Sequence, residues 1–556
     1  DSRLSQCIRD GRWCGIDVGF EETSGALPED VRVVIASAAV KHDHPMMVEA
    51  AARGLSIITY PEALGVCMRG HTGVAIAGTH GKSTTTAMLG CALTDAGLDP
   101  SVIVGATCTQ LTNGALAGSD DPVGYRVGEQ EIPIGPRAGS PGALLAEACE
   151  FNRSFHHLRP TVASIASIEA DHLDIYGSLD AVVEAFAEFA RLVAPADQGG
   201  KLIIAYDGAH RREVTAGVEC EVETIGFNPA ADWILSHEPT TGKVTVRDPD
   251  GVTKEWGLSM PGEHNAFNSA MAYAIGRSLG ADADTLAASF GAFIGLDRRL
   301  QLLGTRDGVR VYDDYGHHPT EIDATLRALA QREQPHENGG RLICVFQPHQ
   351  HSRTRFFLEE FANSFEQADI VIVPHIYFVR DSEIEKHRVS SADLVDRLRD
   401  KGVRAMHLYP FEAIIEQLEN VCRPGDLLVV MGAGPVWKVG RGYLQGGSHQ
   451  LDIQKNAPIS TWFHIGGRAN QLARPNNQED LLACLTMDDE LRVLGEGANL
   501  LVDDEGVSNL VVSLQQGAFI DTQIDETNGI VYAGAGVALP GLINRCVRSG
   551  LGGLEK

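Results

Sequence analysis

The chain has 556 residues, of which 44% are hydrophobic, and a formal net charge of −28 at pH 7. This composition indicates folded protein in several domains, and the acidic balance argues against nucleic acid or an anionic membrane surface as a partner. Eleven cysteines without regular spacing favour reduced thiols in the cytoplasm over a disulfide framework. Because no apolar run is long enough to cross a bilayer, membrane insertion is not expected.

Residues 1–70 predict the latter part of an α/β domain. A buried strand is expected at 31–40, a helix from Pro45 to Gly54 and a second strand at 55–59. Ligands of parallel sheets bind beyond the carboxyl ends of the strands, so Ser37 is either a ligand contact or an ordinary loop serine. The chain starts with Asp rather than Met, and we expect it to be a fragment at its N-terminus.

A phosphate-binding loop opens the next unit, predicted over 71–295. The apolar run 74–77 leads into the segment Gly78-Thr79-His80-Gly81-Lys82-Ser83-Thr84, and an alanine- and leucine-rich helical pattern follows. Glycines let backbone N–H groups approach an anion, the helix N-terminus adds its positive end and Lys82 adds a mobile charge. Ser83 would offer its hydroxyl to Mg²⁺. Ile76 stands where the usual motif has its first glycine, so the motif is a variant.

Two further strands of this unit end in chemically active side chains. The strand at 143–147 ends at Glu147, and the strand at 162–168 runs into Glu169-Ala170-Asp171-His172. Mg²⁺ prefers oxygen ligands, which makes Glu147 a metal-ligand candidate, whereas His172 is either a ligand, a cap or a general base. The polar, glycine- and proline-rich stretch 112–141 predicts a long surface excursion.

Nucleotide contacts are candidates near the end of the unit. Pro261-Gly262-Glu263-His264-Asn265 precedes an alanine-rich helix, where Asn265 would either read a nucleobase edge or cap the helix. The adjacent Arg298 and Arg299 would either reach a terminal phosphate or belong to a solvated surface.

A third α/β unit is predicted over 296–447. The strand at 309–314 runs into Tyr315-Gly316-His317-His318-Pro319, and the strand at 342–346 runs into Gln347-Pro348-His349-Gln350-His351. Two more parallel strands are expected at 369–374 and 426–431. The histidines at these strand ends lack a familiar zinc spacing, so a metal site there is the weaker interpretation.

These motifs, in this order, closely resemble the Mur ligase family, the ATP-dependent amide-forming ligases of peptidoglycan synthesis. The segment Asp313-Asp314-Tyr315-Gly316-His317-His318-Pro319 is similar to the member that adds L-alanine. The resemblance covers about 1–450. It implies an α/β fold of three domains: a partial Rossmann-like UDP-binding domain at 1–70, a central ATPase domain at 71–295, and a Rossmann-like C-terminal domain at 296–447. The implied activity joins L-alanine to UDP-N-acetylmuramate through an acyl phosphate.

The resemblance also implies roles for individual residues. The implied catalytic residues are Lys82, Glu147, His172 and Arg299, and the implied Mg²⁺ ligands are Ser83, Glu147 and His172. ATP would be bound by Gly78, Thr79, His80, Gly81, Lys82, Ser83, Thr84, Asn265, Asn268 and Asp314. Of these, Asp314 would hold the ribose and the two asparagines the adenine side, while Arg299 would contact the phosphates. The acceptor substrates would be held by Ser37, Tyr315, His317 and Arg353.

The pattern departs from the family at three places. The glycine-rich turn for the UDP diphosphate is absent, Cys149 replaces the commoner Asp in Glu-Ala-Cys-Glu, and Gln350 stands where some relatives have Arg. Alternatives are a ligase that recycles a tripeptide onto the same nucleotide sugar, a nicotinamide oxidoreductase and a non-catalytic remnant. Lys82 and Ser83 speak against the oxidoreductase.

The composition changes after a polar linker at 446–455. Strand–turn–strand patterns are expected at 491–502 and 530–537. Together with Ile465-Gly466-Gly467, they make 456–556 similar to the start of the UDP-N-acetylenolpyruvoylglucosamine reductase family. This resemblance implies an α+β subdomain, fused to the ligase, that binds FAD through Gly495, Gly497, Ala498, Asn499 and Leu500. The reducing residues of that family would lie beyond Lys556, so no reduction is expected.

Overall fold

The computed structural model describes residues 27–37, 40–379, 381, 383–445, 452–459, 467–495, 497, 500–525 and 529–553. The chain divides into two compact units, one made of Asp1–Ile414 and Cys422–Gly440, the other of Ile415–Val421 and Arg441–Lys556. No helix in these described ranges combines the length and the apolar character that crossing a bilayer requires.

The first described elements form a small parallel α/β layer. In order they are β1 (Val33–Ala36), α1 (Pro45–Ala52), β2 (Ser56–Thr59) and α2 (Tyr60–Met68). Strand β1 pairs with β2 in parallel, which confirms the predicted alternation. The prediction that β1 is buried is wrong, since Val33 is 48% and Ile35 is 58% exposed. Within the described part of the chain, β2 is the only strand paired with β1, so the sheet there is two strands wide.

The central region is built on a ten-stranded sheet with the order β12-β11-β10-β9-β8-β7-β3-β6-β4-β5. Its strands are β3 (Thr72–Ala77), β4 (Ser101–Cys108), β5 (Val123–Arg126), β6 (Ala143–Glu147), β7 (Val162–Ile165), β8 (Lys201–Ala205), β9 (Glu221–Gly226), β10 (Trp233–Glu238), β11 (Lys243–Arg247) and β12 (Thr253–Gly257). Its helices are α3 (Lys82–Asp95), α4 (Leu173–Tyr176), α5 (Leu179–Ala190), α6 (Arg211–Val214), α7 (Glu263–Ser278) and α8 (Ala283–Ala292). Strand β3 pairs in parallel with both β6 and β7, which places their carboxyl ends together.

Strand β3 shows why this sheet needs helices on both faces. All six of its residues are buried. Val74 and Ile76 belong to a core shared with α3 and α7, and Ala75 and Ala77 belong to the core on the other side, shared with α5. Successive side chains of a strand point to opposite faces, so a parallel strand covered on both sides reads as a continuous apolar run.

The stretch 112–141 is not a bare excursion. It contains β5, which pairs antiparallel with β4 at the edge of the sheet. Ala115 and Ile132 are buried in the core beneath it. Because the stretch is mostly polar, its sequence did not predict that these two apolar side chains are buried.

The third sheet has six strands in the order β13-β14-β18-β15-β16-β17. They are β13 (Gln301–Arg306), β14 (Val309–Asp314), β15 (Leu342–Phe346), β16 (Ile370–Val373), β17 (Arg404–His407) and β18 (Leu427–Met431). The helices are α9 (Pro319–Glu333), α10 (His351–Phe356), α11 (Leu358–Asn363), α12 (Glu383–Lys386), α13 (Ser391–Asp400), α14 (Phe411–Val421) and α15 (Trp437–Gln445). Strand β18 pairs in parallel with β14 and β15, so the polar segments after those two strands start from one edge.

Four strands form a separate sheet after residue 451, in the order β19-β20-β22-β21. Its elements, with those that follow, are β19 (Asp452–Pro458), β20 (Arg468–Arg474), α16 (Gln478–Met487), β21 (Arg492–Leu494), β22 (Val507–Ser513), β23 (Thr522–Asp525), β24 (Ile530–Ala533) and α17 (Leu539–Arg548). The prediction of a strand directly after the glycine turn at 495–499 is wrong. Residues 500–503 are irregular, and the next strand begins at Val507. A polar Asp503-Asp504-Glu505-Gly506 turn delays that strand.

Candidate active site

The loop after β3 makes a tight left-handed turn into α3. Gly81 has φ of 81°, and a Cβ placed on it would lie 2.3 Å from Oδ1 of Asn268. Gly78 has φ of 138°, and its Cβ would lie 3.0 Å from the backbone nitrogen of Ala166. Both glycines are therefore required by backbone conformation and by close neighbours. The turn aims the N-terminal end of α3 at the space above the strand ends, where an anion is favoured.

The ammonium group of Lys82 lies inside this loop. Its Nζ donates to the carbonyl oxygens of Gly78, at 2.6 Å, and Thr79, at 3.0 Å, and lies 2.9 Å from Oε2 of Glu150. Burial lowers the pKa of Lys82, but Glu150 more than offsets that effect, so the pKa is raised and the side chain is charged. A positive charge is thus held where phosphate oxygens would bind.

The predicted metal ligands lie at the same edge of the sheet. The hydroxyl of Ser83 donates to Oε1 of Glu147 at 2.9 Å. His172 lies in a second group with Glu150 and Asp171, whose ligand atoms are within 4.8 Å of one another. Hydroxyl and carboxylate oxygens beside a phosphate loop are the donors that Mg²⁺ prefers, so the residues present fit that ion.

A cleft of about 710 Å³ opens beside the loop. Its lining includes the predicted nucleotide residues His80, Gly81, Thr84, Asn265, Asn268, Arg299 and Asp314. The alternative that Asn265 caps its helix is wrong, since the N-cap of α7 is Gly262. Asn265 is buried inside the first turn, and its Nδ2 donates to the carbonyl of Pro261 at 2.8 Å.

The two adjacent arginines have different surroundings. Arg298 donates to the carbonyl of Gly434 at 3.1 Å and lies 3.4 Å from Oδ2 of Asp313, so it holds the third sheet together. Arg299 lines the cleft, with its guanidinium 5.2 Å from the ring centre of Tyr315. The solvated-surface alternative therefore fits neither residue.

Asp314, the last residue of β14, lines this cleft, and His317 lies in the polar segment that follows it. Burial raises the pKa of Asp314 to about 6, while its oxygens accept the backbone N–H groups of Leu300, at 2.8 Å, and Gly316, at 2.6 Å. Burial also lowers the pKa of His317 to about 3. Its Nδ1 lies 3.2 Å from the carbonyl of Tyr315. A neutral imidazole that donates from Nδ1 keeps its Nε2 as an acceptor.

Arg353 links the third sheet to the central region. Its Nη2 donates to Oδ1 of Asp171 at 2.8 Å, one residue before His172. The side chain is only 9% exposed, and its Nη1 has no hydrogen-bond partner among the described residues. A buried guanidinium with a donor to spare suits a carboxylate ligand. In the described part of the chain, the four histidines of the two strand-end segments form no metal-binding group with one another, whereas His318 lies close to His80 and Glu169.

Two protein-family models match this chain. The Mur ligase middle domain matches residues 76–276, and the Mur ligase glutamate ligase domain matches residues 298–434. A curated UDP-N-acetylmuramate–L-alanine ligase of Pelotomaculum thermopropionicum is 35% identical over 418 residues, which is 74% of this chain and 84% of the relative. The chain belongs to the Mur ligase family.

Similar agreement extends to other curated relatives of this Mur ligase. A protein of Kineococcus radiotolerans with the same name is 39% identical over 415 residues, 73% of this chain and 81% of the relative. Within its family the chain therefore groups with proteins named UDP-N-acetylmuramate–L-alanine ligase.

Solved structures support the fold of this Mur ligase. The UDP-N-acetylmuramate–alanine ligase of Thermotoga maritima aligns with a TM-score of 0.60 and 22% identity, over 80% of this chain and 90% of that one. A murein peptide ligase of Psychrobacter arcticus aligns with a TM-score of 0.53 and 24% identity, over 74% and 85%. Both likenesses concern the multidomain α/β architecture.

Two further sets of predicted contacts in this Mur ligase are Ser37 and the predicted FAD-binding residues at 495–500. Ser37 is exposed and directly follows β1. Gly495, Gly497 and Leu500 lie in irregular chain after β21, whereas Ala498 and Asn499 lie outside the described residues, as does 460–466.

Sequence reasoning gave no role to three carboxylates of the site, although it noted Glu169 at the end of a strand. Glu150 contacts Lys82, while Glu169 and Glu321 both contact His80. Glu150 stands three positions after Glu147 in Glu-Ala-Cys-Glu, and Glu321 follows His318 at the spacing of a helix capping box. These two spacings are the sequence features from which Glu150 and Glu321 could have been predicted as site residues.

Proposed function

We propose that the chain joins L-alanine to UDP-N-acetylmuramate and converts ATP to ADP and phosphate in doing so, a step of peptidoglycan precursor synthesis. One arrangement carries the proposal: Lys82 of the phosphate loop pairs with Glu150, Glu150 lies in one group with His172 and Asp171, and Asp171 pairs with the buried Arg353. Curated relatives that are named for this reaction support it.

The first step forms an acyl phosphate. A carboxylate oxygen of the sugar acid attacks the γ-phosphorus of ATP, the new O–P bond forms, and the bond to the β-phosphate oxygen breaks to release ADP. Lys82 and Arg299 place positive charge beside the transferred phosphoryl group, where negative charge must be balanced. Asp314 holds the ribose, and Asn265 and Asn268 hold the adenine side.

Bound Mg²⁺ would offset phosphate charge in this step, held by Ser83, Glu147 and His172. Glu150 lies beside His172, with 3.9 Å between Oε1 and Nε2. The carboxylate of Glu150 holds the side chain of Lys82 in position before the nucleotide binds.

The second step forms the amide. The neutral amine of L-alanine attacks the acyl carbon, the C–N bond forms, the C–O bond to phosphate breaks, and the proton that the nitrogen loses leaves with the released phosphate. Arg353 holds the alanine carboxylate, and Tyr315 packs against His317 with the ring centres 5.4 Å apart. The acceptor Nε2 of neutral His317 orients the amine and keeps its lone pair free to attack, because a neutral imidazole does not compete for that pair.

The decisive assay measures phosphate release from ATP by the full-length protein, with each substrate omitted in turn. We expect release to require both UDP-N-acetylmuramate and L-alanine, with one amide formed per phosphate. Turnover with the tripeptide but not with L-alanine would instead assign the recycling reaction. ATP turnover indifferent to both acceptors, or no turnover at all, would overturn the proposal.

A cytoplasmic location is part of the proposal. No disulfide joins the cysteines that the structure describes, which suits a reducing compartment.

We also propose that 456–556 is the start of a fused flavin-binding region. Gly495 and Gly497 follow β21, whose parallel partner β22 lies at its side, and Gly497 has φ of 68°. A glycine turn at the carboxyl end of a parallel strand is where a phosphate can approach backbone N–H groups. Retention of FAD after purification, followed by flavin fluorescence, tests this; no FAD bound at micromolar concentration would contradict it.

A further inference from the structure

His80, in the phosphate loop, lies between two carboxylates from different parts of the fold. Its Nε2 is 3.3 Å from Oε2 of Glu169, in the segment after β7 of the central sheet. Its Nδ1 is 3.2 Å from Oε1 of Glu321, on α9 after β14 of the third sheet. One imidazole thus contacts both regions that the family models match.

The geometry indicates a protonated ring. An imidazole can donate from both nitrogens only when it is charged. Burial by itself would lower the pKa of His80, but the hydrogen bonds to Glu169 and Glu321 raise it to about 9. His80 in turn holds the pKa of Glu321 well below its usual range. Other titratable groups near this cluster in the described part of the chain include Asp171, His264, Arg299, Asp314, His317 and His318.

Glu321 also holds the backbone of the acceptor side. Its Oε2 accepts the N–H groups of His317, at 3.0 Å, and His318, at 3.2 Å. The same carboxylate therefore holds the His80 ring with one oxygen and the His317 backbone with the other. Thr320 adds a parallel link, since its hydroxyl donates to Oε2 of Glu169 at 2.8 Å.

We propose that Glu321 is a positioning residue which, through charged His80, sets the distance between the phosphate loop and His317. The inference rests on the proposed ligase function and deepens it. Acyl transfer needs the phosphorylated carboxyl carbon and the amine within about 3–3.5 Å, so a displacement of about 1 Å between the two sides costs about a hundredfold in rate.

A bound cation is the competing interpretation of this cluster. The ligand atoms of His80, Glu169 and His318 lie within 4.8 Å of one another. Within this group, Nδ1 of His318 accepts the N–H of Thr320 at 3.4 Å, and its Nε2 has no hydrogen-bond partner among the described residues. Metal ligation requires an unprotonated nitrogen, and both nitrogens of His80 face carboxylates. The observations therefore favour a hydrogen-bonded ion pair over a metal site.

The test compares Glu321→Gln with Glu359→Gln. The first keeps the size of the side chain and one acceptor oxygen but removes the charge opposite His80. The second removes an exposed carboxylate on α11, 3.1 Å from Arg397. We expect Glu321→Gln to lower kcat for amide formation about tenfold to a hundredfold and to raise KM for L-alanine, with KM for ATP within about twofold of wild type. Glu359→Gln should match wild type.

A second measurement needs no substrate. The protonation of His80 is followed by NMR of ¹³C-labelled histidine, with His80→Gln used to assign its signal. The imidazolium should persist in the wild type up to about pH 9 and lose its proton at lower pH in Glu321→Gln. This result stands even if alanine-dependent ATP turnover fails, so the two proposals fail separately.

Three results would overturn the inference. The first is a wild-type His80 that titrates near pH 6.5, the ordinary histidine value. The second is wild-type kcat and KM in a folded Glu321→Gln protein. The third is a stoichiometric shift of the His80 and His318 signals on addition of Zn²⁺ alone, which would make the cluster a cation site.

Discussion

The central and C-terminal sheets present polar residues at the carboxyl ends of their parallel strands, but in different states. After β3 and β6 the side chains are charged and paired: Lys82 with Glu150, and Ser83 with Glu147. After β14 burial keeps His317 neutral and raises the pKa of Asp314 to about 6. Phosphoryl transfer needs fixed charge, whereas amide formation needs an uncharged neighbour for the amine. The two edges differ in charge pairing rather than in burial, since Lys82 is 12% and its partner Glu150 4% exposed, against 21% for His317.

The largest effect is expected from removing the positive charge of Lys82 in the phosphate loop of the central region. Lys82→Ala should lower ATP-dependent amide formation by about 10³-fold, since charge stabilisation of the transferred phosphoryl group is lost. Steady-state kinetics measures the loss. Lys243→Ala, which removes an exposed lysine paired with Glu255 at 2.9 Å, should retain wild-type turnover. Near-normal activity of Lys82→Ala would refute the assignment.

The second-largest effect is expected from a side chain that fills the space at the phosphate loop. Gly81→Ala places a Cβ 2.3 Å from Oδ1 of Asn268, whereas Gly251→Ala, at φ of 83°, meets nothing within 4 Å. Both variants should lose about 1–2 kcal/mol of unfolding free energy to the left-handed backbone. Only Gly81→Ala should also weaken ATP binding, by tenfold or more, as measured by calorimetry. Equal ATP affinity in both variants would show that the contact with Asn268 is irrelevant.

A substitution at Arg353, the proposed binding residue for L-alanine, tests whether the two sheets bind different substrates. Arg353→Ala should raise KM for L-alanine by about 30- to 160-fold, which corresponds to the loss of a charge-assisted hydrogen bond of ~2–3 kcal/mol. The affinity for ATP should change little. Arg355→Ala, two residues away and 2.8 Å from Glu385 with an exposed side chain, is the matched control. A parallel loss of ATP affinity in Arg353→Ala would contradict the division of labour.

The smallest effect concerns pH. Burial lowers the pKa of His264 to about 4, below the ordinary 6.5, so the unfolded chain takes up a proton first as the pH falls. Its stabilising contribution is complete above about pH 6.5 and is lost towards pH 4. Between pH 7.5 and 5.5 the loss is about 1 kcal/mol. His264→Gln should flatten this slope in urea unfolding.

Much of the fold could be predicted from local pattern. The apolar run of β3, the glycines around it and the hydroxyl after Lys82 identify a strand, a turn and a helix within a dozen residues. The strand-end carboxylate Glu147 was visible because its strand is short and apolar. The exposure of β1 was not visible, since an apolar run looks the same whether or not a layer covers it.

The sequence alone determined the succession of α/β units, the phosphate loop and the family resemblance, because backbone conformation and apolar periodicity act over neighbouring residues. Only the tertiary structure decided which charges meet. Lys82 finds Glu150, Arg353 finds Asp171, and His80 finds Glu169 and Glu321, across separations of 68 to 241 residues. Such pairings depend on sheet order and on the packing of whole regions, which no local spacing records.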